Sequence, residues 1–162
     1  MISTDTTFRT FVTVQAPIER AFTVFTDGFD SWWPRSHHIG TAEMAAAVLE
    51  PRVDGRWHER GADGSECEWG RVLVWDPPHH VAMSWHLTGA WGYDPDPEKA
   101  SRVDVRFVAE GDETTRVELE HSGLDRHGSD WTAVRDGISS DGGWTALLAD
   151  YAQVASGSGE TA

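Results

Sequence analysis

The sequence predicts an α+β fold: a curved antiparallel sheet of about seven strands wrapped on a long C-terminal helix, with two short helices after strand 1. Three observations lead there. The 162 residues suit one domain and leave no length for a second core. From Met44 to His121 apolar residues recur mainly with period two, in segments separated by short turn-forming clusters. On either side of that stretch the spacing is helical instead.

Phe8 to Val14 reads as a strand with Phe8, Thr10, Val12 and Val14 on one face. Ala16-Pro17 opens a helix, because the N–H that proline lacks has no partner in a first turn anyway. Ile18, Ala21, Phe22 and Phe25 then form a single apolar stripe. Asp27-Gly28 closes this helix, and Phe29 to Trp33 forms a short second turn before Pro34.

Strands are expected over 44–50, 55–60, 66–75, 81–87, 101–110 and 114–121. Asp54-Gly55, Asp63-Gly64, Asp76-Pro77-Pro78 and Gly111-Asp112 mark turns between them. Such short links join antiparallel neighbours, since parallel pairs need long crossovers. Val103, Val105, Phe107 and Ala109 face one way and Arg102, Asp104 and Arg106 the other, which predicts one buried and one wet face.

Helical spacing returns at Trp131, Val134 and Ile138, breaks over 139–143, and resumes after Asp141, a candidate N-cap. Trp144, Leu147, Leu148 and Tyr151 form the stripe of the last helix, and only the apolar face of the sheet is large enough to cover it. A single domain is expected over 1–155, and 156–162 reads as a disordered polar tail.

The formal charge of −14 argues against nucleic acid and anionic membrane surfaces as partners, because both would repel the chain. No apolar run approaches a bilayer span, and the first twenty residues lack a secretory pattern, so the expected location is cytoplasmic. Cys67 is the only cysteine, which excludes an intrachain disulfide and a cysteine-based zinc cluster. His37-His38, His79-His80 and the His121/His127 pair lack metal-ligand spacing, so no metal is expected. Phosphate loops, dinucleotide fingerprints and nucleophile elbows are missing, so no cofactor and no ATP hydrolysis are expected.

Nine tryptophans are the unusual feature. Trp57, Trp69 and Trp85 sit in alternating strand patterns, Trp32 and Trp33 follow the first helix, and Trp144 begins the last. A large apolar ring with one N–H donor suits a pocket for flat or greasy ligands, although core filling is the commoner use. Val105 and Leu148 complete the expected pocket lining, with His37 near its mouth and Trp91 in a long, proline-stiffened loop that borders it. Trp75 and Trp131 read as edge or core packing.

Glu59 shares a face with Trp57, and His121 with Val117 and Leu119. A carboxylate or imidazole in apolar surroundings needs a partner and is a candidate acid or base; a satisfied structural pair is the plainer alternative. Cys67 falls on the face of Trp69, while Glu68 points away, so no base activates the thiol.

Several stretches resemble the Hsp90-ATPase-activator-homologue branch of the START-like (SRPBCC, helix-grip) superfamily. They are Val14-Gln15-Ala16-Pro17-Ile18-Glu19-Arg20-Ala21-Phe22, Trp32-Trp33-Pro34, the run from Leu49 to Trp57, Gly70 to Pro78, Arg116 to His121, and Gly142-Gly143-Trp144. The resemblance implies a helix-grip fold with a cavity between sheet and C-terminal helix, and it implies no particular reaction.

The leading expectation is a small-molecule binding protein, monomer or homodimer, holding an apolar or aromatic ligand in that cavity. The alternatives are an enzyme of cyclase, dehydrase or hydrolase type using the same pocket, and a co-chaperone-like interaction domain with a chaperone as partner.

Overall fold

The computed structural model describes residues 7–33, 42–87, 94, 96–128, 131–139 and 143–156. Its elements follow the expected order. Strand β1 (Phe8–Val14) leads into α1 (Ile18–Thr26) and α2 (Phe29–Trp32). Six strands follow: β2 (Met44–Leu49), β3 (Arg56–Gly61), β4 (Glu66–Asp76), β5 (His80–Trp85), β6 (Ser101–Gly111) and β7 (Thr114–Ser122). Helices α3 (Trp131–Ile138) and α4 (Trp144–Ser156) close the chain, and single 3-10 turns occupy Pro97–Lys99 and Leu124–His127.

The sheet runs β1-β7-β6-β5-β4-β3-β2 and every pairing is antiparallel. Strands β1 and β2, neighbours in sequence, therefore lie at opposite edges, and α1 and α2 cross the space between them. This is the helix-grip arrangement, with the helices on the inner face of a curved sheet. Asp30 fastens α2 to β2, its Oδ1 accepting from the Ala47 amide at 2.8 Å. Tyr151 Oη donates to the Ala21 carbonyl at 2.6 Å and locks α4 to α1. Arg20 Nε donates to the Ala155 carbonyl at 2.9 Å, placing a cation on the open, negative end of α4.

The apolar stripes do what their spacing requires. Ala21, Phe22 and Phe25 of α1 and Trp144, Leu147, Leu148, Tyr151 and Ala155 of α4 are buried against the inner face. Strand β7 alternates without a break, burying Thr115, Val117, Leu119 and His121.

Strand β6 departs from the expected pattern in two places. Ala109 is exposed because the strand outruns the layer that covers it. Asp104, expected on the wet face, is 5% exposed. Two side chains fold over it: Arg102 Nε donates to Oδ2 at 2.8 Å, and His80 Nε2 lies 2.7 Å from Oδ1. Burial works against the Asp104 charge, but these bonds outweigh it and hold the carboxyl below its ordinary value.

Asp104→Asn is expected to lower stability by about 2 kcal/mol at pH 7, read from denaturant melts. The contribution is present above the ordinary carboxylate range and fades as pH falls through the lowered value of the folded state. Equal stability of the two proteins at pH 7 would show that the cluster contributes nothing.

Candidate functional site

The inner face is built from β3 outward. Trp57 and Glu59 are two residues apart and so point the same way, and pairing places Trp57 opposite Leu49 and Glu59 opposite Ala47 and Cys67. Between β3 and β4 the register slips: Trp57 faces Gly70, whereas His58 faces Glu68. Trp69 is the extra residue of that bulge, and its indole turns inward beside Glu59. Trp69 Nε1 donates to Glu59 Oε1 at 3.0 Å, both side chains being buried.

Five indoles then close into a circuit. Ring centroids are 5.2 Å apart for Trp33–Trp69, 5.6 Å for Trp69–Trp57, 5.6 Å for Trp57–Trp85, 5.6 Å for Trp85–Trp144 and 6.1 Å for Trp144–Trp33. Four of these side chains come from secondary-structure elements and the fifth, Trp33, from the residue that ends α2. Phe29 stacks on Trp33 at 4.9 Å and extends the aromatic surface toward α1. The contacts are mostly edge-to-face or tilted, the geometry that aromatic quadrupoles favour.

His121 borders the circuit, its ring 5.2 Å from Trp85. Trp144 Nε1 donates to His121 Nδ1 at 3.1 Å, which leaves the imidazole proton on Nε2. Nε2–H then donates to Ser101 Oγ at 2.7 Å, and Ser101 Oγ also shares a hydrogen bond with His127 Nε2 at 2.7 Å. Burial, and after it the neighbouring His127, pushes the His121 pKa down to about 3, so the ring is neutral at ordinary pH. Both nitrogens are engaged, and accepting a proton from a ligand would first require release of the Trp144 bond.

The other expected residues fall elsewhere. Trp32 belongs to the junction of α1, α2 and α4, donating to the Val24 carbonyl at 3.1 Å and meeting the Tyr151 ring at 5.5 Å. Val105 is buried in mid-sheet between Val81 and Leu119, and Leu148 is buried on α4. His37 and Trp91 lie outside the described residues. Trp75 meets Phe22 at 5.1 Å and Trp131 lies under the Arg135 guanidinium at 5.2 Å, both apart from the circuit. Burial, with Glu59 and Asp63 adding to it, raises the Cys67 thiol pKa, which disfavours the thiolate.

Sequence reasoning missed Ser101 and His127. Ser101 had a signal, since it shares the inward parity of Val103 and Val105; His127 had none, because a 3-10 turn brings it to Ser101. Among the described residues no group of three or more His, Cys, Asp or Glu could hold a metal. None of the described helices is long and apolar enough to cross a membrane. A groove of about 290 Å³ on the outer face is spanned by Arg9–Glu120 and Arg106–Glu120 ion pairs at 3.1 and 3.5 Å, so its charges answer one another.

The family model described as "Activator of Hsp90 ATPase homolog 1-like protein" matches residues 15–154. The chain belongs to this family. Among solved structures, this member is 42% identical to an anthrahydroquino-Gama-pyrone synthase, Txn09, covering 91% of this chain and 95% of that one with a TM-score of 0.64. It is 33% identical to CalC, a self-sacrificing resistance protein from Micromonospora echinospora, covering 92% and 93% with a TM-score of 0.67. Protein MLL2253 from Mesorhizobium loti, 18% identical with coverage of 91% and 94% and a TM-score of 0.63, shares the fold. No curated protein matches the chain.

Proposed function

We propose that this Hsp90-activator-homologue-like protein binds a flat, polycyclic aromatic small molecule against the indole circuit. The closed ring of Trp33, Trp57, Trp69, Trp85 and Trp144 carries the reading. Aliphatic side chains would bury the inner face equally well, whereas indoles add flat faces and N–H donors suited to aromatic rings. The 42% identical relative, a synthase named for an anthrahydroquinone-pyrone, supports the same ligand class. The polar groups that would orient the ligand are few: Glu59 and the Trp144–His121 pair.

A second reading, an enzyme acting on that ligand, is favoured by the synthase name of the relative and by Glu59. Glu59 is the one buried carboxylate on the inner wall among the described residues. It would serve as the acid or base, with His121 holding Trp144 in position.

Titration with hydroxyanthraquinones and related tricyclic aromatics is expected to quench tryptophan fluorescence saturably. At one hundred times Kd, such a ligand should stabilise the fold by about 2.7 kcal/mol in thermal melts. Mass spectrometry of the same incubations separates the readings, a changed ligand mass marking an enzyme. A panel of such aromatics that neither quenches nor shifts the melt would sink both.

A further inference from the structure

The circuit contains an indole donor with no acceptor among the described residues. Trp32, Trp69 and Trp144 each give their Nε1–H to a defined acceptor: the Val24 carbonyl, Glu59 and His121. Trp57 is fully buried, at 0% exposed, and its Nε1 has no hydrogen-bond partner among the described residues. Its ring meets Trp69 and Trp85 within the circuit and lies 6.0 Å from Phe29. A buried N–H without an acceptor is costly, and buried polar groups in native proteins are nearly always satisfied. A tryptophan kept at such a position, where phenylalanine would offer an aromatic face without the penalty, points to an acceptor that arrives with a ligand.

We infer that the ligand class is an aromatic ketone or quinone, whose carbonyl oxygen accepts the Trp57 Nε1 hydrogen bond while its rings lie against the neighbouring indoles. The inference rests on the proposed aromatic-ligand site and narrows it. A carbonyl oxygen in the plane of a fused ring system is a pure acceptor, which complements a pure donor. A phenol oxygen can also accept, but it brings a proton that needs its own acceptor in an apolar wall.

Fluorenone and fluorene test this directly, because both are flat tricycles that differ by C=O against CH2. Their Kd values for the full chain would be measured by tryptophan quenching, alongside Trp57→Phe checked for folding by circular dichroism. The wild type should bind fluorenone about tenfold more tightly than fluorene, although fluorene is the more apolar of the two. Trp57→Phe should abolish that preference, fluorenone affinity falling to that of fluorene in the same variant. In ¹H–¹⁵N spectra of the wild type, fluorenone should move the Trp57 indole N–H resonance downfield and fluorene should not; this reading does not depend on the variant folding.

Equal wild-type affinity for the two ligands, or an equal loss for both in Trp57→Phe, overturns the carbonyl inference and leaves the aromatic site standing. Binding of neither ligand, with no response to the hydroxyanthraquinones, overturns the site and the inference together.

Discussion

Gly70→Ala is expected to remove most of the stability of the fold. Gly70 lies opposite Trp57 just beyond the β4 bulge, where strand β5 comes unusually close. A Cβ at this position would sit 1.8 Å from the Ser84 carbonyl oxygen and 2.7 Å from its carbonyl carbon. Both are backbone atoms, so no side-chain rotation relieves the overlap. Moving β4 away from β5 would break the Arg71 amide bond to Ser84 Oγ and the His86 amide bond to the Trp69 carbonyl, each 2.9 Å. It would also displace Trp69 from Glu59.

Losses above about 4 kcal/mol come from few mechanisms, and a backbone overlap inside a sheet is among them. Against a typical total of 5–15 kcal/mol, the variant should be poorly folded, or melt roughly 8–16 °C lower. Gly111→Ala is the control, since nothing lies within 4 Å of its added Cβ. A Gly70→Ala protein that melts within about 2 °C of the wild type would show that β4 and β5 can separate cheaply.

Acid is expected to act chiefly through His121. An unfolded histidine takes up its proton near the ordinary value of 6.5, whereas folded His121 stays neutral down to about 3. Between those limits the unfolded state binds more protons, so stability rises with pH and is lost as pH falls from about 6.5 toward 3. The loss between pH 7 and pH 4 amounts to about 3 kcal/mol for this one group.

Other groups contribute in different ways. His58, buried on the outer face of β3, has its pKa lowered first by burial and next by Arg56, so it acts in the same direction. Asp104 joins only at lower pH. Protonation also relieves the repulsion of a chain carrying −14 charges, which opposes both.

Comparison with His121→Asn isolates the histidine. The asparagine Oδ1 can take the place of Nδ1 as acceptor for Trp144, but it does not titrate. The variant should start less stable at pH 7 and lose about 3 kcal/mol less than the wild type on going to pH 4. Parallel denaturation curves for the two proteins at every pH would assign the acid sensitivity elsewhere.

Much of the fold was legible because periodicity reports which face a side chain takes. Alternation in β7 correctly set His121 on one face with Val117 and Leu119, and the stripe in α4 correctly set Trp144 and Leu148 against the sheet. Parity failed where it had no information about neighbours. Asp104 occupies a wet-face position but is covered by Arg102 and His80, and Ala109 occupies a buried-face position beyond the covering layer.

By itself the sequence determined the order of strands and helices, the antiparallel connections, the shared face of Trp57 and Glu59, and the excess of indoles. Tertiary structure alone decided that Trp33 and Trp144, 111 residues apart, close a ring with three strand indoles. It also decided that a bulge gives Trp69 to Glu59, that His121, Ser101 and His127 form one chain, and that Trp57 Nε1 has no acceptor among the described residues. The reason is physical: hydrophobic period is a property of one segment, whereas a ring contact or a hydrogen bond needs the relative placement of two. That placement is set by how the whole sheet curves around its helices.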